Sequence, residues 1–209
     1  MEAIEYTAIE EGVLINCRMF VEKNFLPEEH CNELIKYYNS AIDTTKATDI
    51  HTFFSDRLIW FTHVPDASPA KNIMRQTRIN TIKLIKEFYQ LEYPIYGDSI
   101  QLVSWPEGMG MPTHYDNRHP RRNEPHGTPW REYAGVIYLN DDYAGGELYI
   151  SSANPNIVLK PEKGMLVVFG GGDGFMHGVQ PPYGNTRYTM PCWFTRDITK
   201  NEVDYSAYL

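Results

Sequence analysis

The sequence predicts an α+β, mainly β fold, with two helices in the first half followed by short strands that close into a β-sandwich or jelly roll. Three observations carry that expectation. Before Pro94, apolar residues recur at helical steps in two stretches. After it, segments rich in Val, Ile, Tyr, Phe and Trp alternate with Gly, Pro, Asn and Asp. At 209 residues, the chain suits one substantial core. The expected organisation is a single domain over 1–209, with a strand and supporting helices in 1–94 and the β core in 95–197.

Residues 13–21 form a strand candidate that adds to a sheet edge. Over 27–42, Pro27 stands at a first helical position and Glu28 and Glu29 fill the first turn. Leu34, Ile35, Tyr38 and Ile42 then share one face. Over 68–91, Ser68 can cap, Pro69 can open the first turn, and Met74, Ile82, Ile85, Phe88 and Tyr89 supply an apolar stripe. Strands are expected at 95–105, 133–139, 147–151, 157–159, 165–169 and 187–194. Pro191 cannot donate to a ladder, so the last strand is expected at an edge or bulged there. The first-half helices are expected to buttress one face of the sandwich.

Composition narrows the class of function. No apolar run approaches the roughly 20 residues that span a bilayer, which argues against membrane insertion. The start, MEAIEYTAIEEGV, has neither the basic nor the apolar region of a secretory signal, so a cytoplasmic protein is expected. Cys17, Cys31 and Cys192 are too few and too dispersed for a disulfide framework, and free thiols are expected. A net charge of −8 and a pI near 5.3 count against nucleic acid as partner. Arg118, Arg121, Arg122 and Arg131 crowd one short stretch. They read either as a solvated loop or as a substrate-facing lip.

The chemistry concentrates in His114, Asp116, His177 and Arg187. In a strand, residues i and i+2 share a face, so an H-x-D pair at a strand end aims both side chains at one point. Two imidazoles and a carboxylate occupy one face of an octahedral metal and leave three positions open, as in non-haem Fe(II) oxygenases. A lone H-x-D is weak and also fits a surface loop. Its context strengthens it: His177 lies in DGFMHGVQPP after the apolar strand MLVVF, and Arg187 lies in the otherwise apolar NTRYTMPCWF. A buried arginine needs an anionic partner. The distal carboxylate of 2-oxoglutarate would serve, and so would an internal salt bridge.

Residues 95–197 resemble the Fe(II)/2-oxoglutarate-dependent prolyl hydroxylases of the prolyl 4-hydroxylase superfamily, with motifs closest to those that act on the hypoxia-inducible factor. The matching text is HYDN at 114–117, YLNDDYAGGEL at 138–148, KPEKGMLVVF at 160–169, HGVQPPYGNTRY at 177–188, and Trp193. The resemblance implies a double-stranded β-helix, with iron on His114, Asp116 and His177 and the distal carboxylate of 2-oxoglutarate on Arg187 and Tyr138. Trp193 falls where the family has a tryptophan near the active site, and Gly145 and Gly146 match its GG, read here as structural. Where the family often has a tyrosine, this chain has Trp105, which can wall off the co-substrate or belong to the core. The loop 117–132 has no assignable counterpart and is read as touching substrate. His30, His51 and His63 are read as bystanders, His119 and His126 as bystanders or as contacts to a metal ligand or the substrate, and Met109 and Met111 as packing beside the first ligand.

The activity so implied is hydroxylation of a prolyl residue at C4 in a protein or peptide. Fe(II), 2-oxoglutarate and O2 are consumed or required, ascorbate serves as reductant, and succinate and CO2 are released. Asp116 fills the position that a halogenating iron enzyme leaves open for chloride. The alternatives are an oxygenase acting on a free amino acid or other small molecule, and a non-catalytic metal-binding jelly-roll protein.

Overall fold

The structure is a computed structural model that describes residues 1–45, 54, 56–121 and 124–202. His51 and Arg122 lie outside the described residues. The chain begins with β1 (Glu2–Glu10) and β2 (Val13–Glu22), followed by α1 (Glu28–Thr45), β3 (Leu58–Trp60) and α2 (Pro69–Tyr89). Next come β4 (Tyr96–Trp105), β5 (Met111–His114), β6 (Tyr133–Tyr138), β7 (Ala144–Gly145) and β8 (Leu148–Ile150). The chain continues through β9 (Ile157–Leu159), β10 (Leu166–Gly170), β11 (His177–Val179), β12 (Pro182–Tyr183) and β13 (Arg187–Thr195).

Three layers result. A seven-stranded sheet has the order β1-β2-β10-β6-β13-β4-β3, and a four-stranded sheet has the order β5-β11-β8-β9. Strand alternation in the large sheet builds two cores at once. On β10, Leu166 and Val168 face the helices, where they join Leu34 and Tyr38 of α1 and Met74, Ile82 and Ile85 of α2. Val167 and Phe169 face the other way, toward Leu148 and Ile150 of the small sheet. The helices therefore cover the outer face, as the sequence predicts, and the inner face is left for the site.

β13 follows the same rule. Met190, Cys192 and Phe194 enter the helix-side core. Arg187, Thr189, Pro191 and Trp193 line the space between the sheets.

Several expectations need correction. β13 is an interior strand between β6 and β4, not an edge. Its ladder to β6 runs through Pro191↔Val136 without interruption, while its ladder to β4 skips Met190 and Pro191, and the bulge falls later, between Trp193 and Phe194. The lost proline donor is absorbed as a gap on the β4 side. Ser68 stands at the N-cap of α2, with Pro69 opening the helix, but its side chain makes no capping hydrogen bond. The sequence reading also missed β1, β3, β5, β7, β11 and β12. β1 pairs with β2 along its whole length across a two-residue turn in which Glu11 and Gly12 both have positive φ.

Candidate active site

His114 ends β5 and His177 opens β11, and these neighbouring strands place the two residues directly opposite each other. Their ring centroids are 4.3 Å apart. Asp116 follows two residues after His114, held by its own N–H donating to the Gly171 carbonyl at 3.0 Å and by Thr128 Oγ1 donating to its carbonyl at 2.8 Å. The ligand atoms of His114, Asp116 and His177 all lie within 4.8 Å of one another. Sequence reading predicted this cluster, and the fold assembles it from two strands and a turn.

The hydrogen bonds around the cluster leave the right atoms free. His114 Nδ1 lies 2.9 Å from the Pro112 carbonyl and His177 Nδ1 lies 2.9 Å from the Phe175 carbonyl. A carbonyl only accepts, so each Nδ1 carries the proton and each Nε2 keeps its lone pair. Trp193 Nε1 donates to Asp116 Oδ1 at 2.8 Å. Asp116 Oδ2 is buried without a hydrogen-bond partner and lies 3.8 Å from His177 Nε2. Burial pushes the His177 pKa down to about 4, against a smaller upward pull from Asp116, so the imidazole is neutral near pH 7. Two imidazoles with their Nε2 atoms free of hydrogen bonds to carbonyls, and an orphaned carboxylate oxygen, fit a divalent metal. Without one, Oδ2 bears an uncompensated desolvation cost.

Arg187 lies across the cavity, 2% exposed. Its Nη1 donates to the Gly146 carbonyl at 3.1 Å, its Nε is buried without a partner, and no carboxylate among the described residues pairs with it. The internal salt bridge that would have explained Arg187 structurally is thus missing among those residues. Tyr138 is buried beside it; burial pushes the phenol up to about 12 against the opposite pull of Arg187, so it stays a neutral donor. Gly145 and Gly146 both adopt φ of +72°, and a Cβ at Gly146 would fall 2.7 Å from the Tyr143 ring. The glycine pair allows the chain to fold closely over Arg187.

Trp105 lines the same cavity, with the Arg187 guanidinium 4.7 Å from its ring centroid. Its Nε1 donates to Thr189 Oγ1 at 3.0 Å, so the indole N–H is engaged within the protein while the ring lines the cavity. Met111 also lines the cavity, whereas Met109 packs against the cluster around Trp105.

The arginine-rich loop turns inward more than expected. Arg131 pairs with Asp98 at 2.6 Å and lies 4.0 Å over the Trp193 ring. Arg118 contacts Glu10 and Asp173, and Arg121 with His119 contacts Glu124 at the surface. His126 Nδ1 accepts from the Thr128 N–H at 3.3 Å, and burial and Arg131 lower its pKa. The contact that sequence reading missed is Trp193 to Asp116: no spacing rule links residues 77 apart, and only the packing of two sheets brings them together.

Comparison with known proteins agrees with this geometry. Residues 100–195 match the model of the 2OG-Fe(II) oxygenase superfamily. Prolyl 3-hydroxylase 2 of Rattus norvegicus is 26% identical over 140 residues, which cover 58% of this chain and 20% of that protein. The chain thus spans about a fifth of the length of such curated relatives. Among solved structures, a Pseudomonas putida prolyl-4-hydroxylase superposes with a TM-score of 0.62 at 20% identity, covering 86% of this chain and 92% of that one. A Trichoplax adhaerens prolyl hydroxylase in complex with a hypoxia-inducible factor peptide superposes with a TM-score of 0.65 at 18% identity, covering 85% and 83%. At these identities the structural likeness establishes the double-stranded β-helix fold. Over residues 100–195, a little under half of its length, the chain is thus similar to the 2OG-Fe(II) oxygenase superfamily.

Proposed function

We propose that this protein is an Fe(II)- and 2-oxoglutarate-dependent hydroxylase of prolyl residues in a protein or peptide. One observation carries the reading: a three-ligand cluster with an orphaned carboxylate oxygen shares a cavity with a buried arginine that has no carboxylate partner among the described residues. Fe(II), 2-oxoglutarate and O2 are the requirements of the superfamily. His114, Asp116 and His177 would hold the metal, and Arg187 with Tyr138 would hold the distal carboxylate.

When bound, the metal would supply O2 activation coupled to oxidation of 2-oxoglutarate to succinate and CO2. The protein's own part is placement. Arg187 offers a rigid, charged fork and Tyr138 a phenolic O–H, which together fix the depth at which a dicarboxylate sits. Trp193 holds Asp116 Oδ1 so that Oδ2 faces the cluster. Trp105, Met111 and Phe54 wall the cavity with apolar surface and limit water.

The prolyl substrate is supported by the names of the relatives. Motif resemblance favours C4 as the position of hydroxylation, and the curated sequence relatives are named as prolyl 3-hydroxylases. The test incubates the protein with Fe(II), 2-oxoglutarate, ascorbate and a proline-containing peptide library, and reads +16 Da products by mass spectrometry. Amino-acid analysis then separates 4-hydroxyproline from 3-hydroxyproline. Products on non-prolyl residues, or only on free amino acids, would overturn the prolyl reading. Calorimetric titration with Mn(II) and 2-oxoglutarate tests the site itself, and absence of metal-dependent 2-oxoglutarate binding would overturn the enzyme reading.

A further inference from the structure

Outside the cluster, one buried carboxylate touches both chain segments that carry the ligands. Glu10, the last residue of β1, is 7% exposed. Its Oε1 accepts from Tyr115 Oη at 3.0 Å and from the Gly174 N–H at 2.6 Å, and its Oε2 accepts from Arg118 Nη2 at 2.5 Å. Tyr115 stands between His114 and Asp116, and Gly174 lies three residues before His177. From the edge strand β1, Glu10 thus ties the H-x-D segment to the turn that delivers the third ligand.

The tie is braced at each end. Arg118 lies 3.6 Å over the Tyr115 ring and also pairs with Asp173. The Gly174 carbonyl accepts from Tyr6 Oη at 2.9 Å and from Ser152 Oγ at 2.7 Å, so the peptide groups before and after Gly174 are both held. Gly174 has φ of +84°, and a Cβ there would fall 2.1 Å from Cys17 Sγ, so the hairpin requires glycine at this turn. The next residue, Phe175, presents the carbonyl that orients His177.

We propose that Glu10 is a positioning residue for the metal cluster, and that docking of the β1–β2 hairpin and metal binding are coupled through it. The inference rests on the metal reading above. A carboxylate that accepts from both ligand-bearing segments fixes their separation before a metal arrives, so the cluster is preorganised. By reciprocity, a metal on the cluster stabilises the docked hairpin.

The test uses the full chain and Mn(II) as probe, with affinity measured by calorimetry well below the melting temperature. Glu10→Gln keeps the shape but loses one accepting oxygen, and its Mn(II) affinity should fall about 10- to 100-fold, as for outer-shell partners of ligands. Tyr115→Phe, which removes a single hydrogen bond, should weaken binding in the same direction and by less. Leu34→Ala, on the buried face of α1 in the helix-side core, should leave Mn(II) affinity unchanged. Mn(II) should also slow hydrogen exchange of the Gly174 amide and of β1 in the wild-type chain. Unchanged affinity in Glu10→Gln, an equal loss in Leu34→Ala, or unchanged exchange would overturn the coupling while leaving the metal site intact. If Glu10→Gln does not fold, Tyr115→Phe and the exchange measurement decide. Failure of the wild-type chain to bind Mn(II) would overturn the metal reading and the inference with it.

Discussion

Arg187 is a buried guanidinium with no carboxylate partner among the described residues. It is buried among apolar neighbours, and burial lowers its pKa, with the nearby phenols of Tyr138 and Tyr143 opposing. Charged hydrogen bonds are each worth about 1.5 to 3 kcal/mol, so Arg187→Met should raise the 2-oxoglutarate requirement roughly tenfold to a hundredfold. Steady-state kinetics and 2-oxoglutarate titration of the Mn(II) form check this, and an unchanged requirement would move the carboxylate site elsewhere. Trp193→Phe keeps the aromatic wall but removes the donor to Asp116 Oδ1, and metal affinity should fall about tenfold or more. The cysteines make an independent case. Burial pushes Cys31 up to about 11 and Cys192 up to about 12, and both are fully buried. Thiolate is the reactive form, so both should resist iodoacetamide at pH 8 in the native chain and react once it is unfolded. The native thiols bind their protons more tightly than the unfolded chain's. Their stabilising contribution is therefore full below about 8.5 and is lost as pH rises through about 11 to 12.

At the scale of elements, legibility followed length and periodicity. α1 and α2 were readable because their apolar residues recur over several turns, and β4, β6, β10 and β13 because their runs are long and apolar. β1 was not. Its sequence EAIEYTAIE carries three acidic residues, and its pairing to β2 is a tertiary fact that no local pattern states. β7, β11 and β12 are two or three residues long and carry Gly or Pro, whereas β8 and β9, no longer, were readable from their runs of Leu, Ile, Val and Tyr. The triad was legible because H-x-D, a distant His and a later Arg keep their order whatever the strand boundaries. The contacts that hold it, from Trp193, Glu10 and Thr128, were not, because they join residues 77, 105 and 12 positions apart through the packing of strands and loops. The helix layer can be tested directly. Leu34→Ala, removing a fully buried side chain from α1, should cost about 2 to 5 kcal/mol of stability in denaturant unfolding. A cost well under 1 kcal/mol would show that α1 does not carry the outer core.

For the whole molecule, the large sheet divides the labour: one face is packed solid against helices, and the other holds polar groups left without partners. Asp116 Oδ2 and Arg187 Nε are buried without hydrogen-bond partners, a desolvation cost that a metal and an anion would offset. No helix among the described residues is long and apolar enough to cross a membrane. Ligands that bind only the native state stabilise by about 2.7 kcal/mol at a hundredfold excess over Kd. For a chain of this size, that amounts to roughly 5 to 11 °C in Tm. Mn(II) with 2-oxoglutarate should produce such a rise in the wild-type chain, and EDTA should reverse it. His177→Ala removes a ligand and should abolish the shift. In Arg187→Met the metal should still raise Tm while 2-oxoglutarate adds little, since the two ligands lean on different residues of one face. A full shift in His177→Ala would mean that the metal binds elsewhere in the fold.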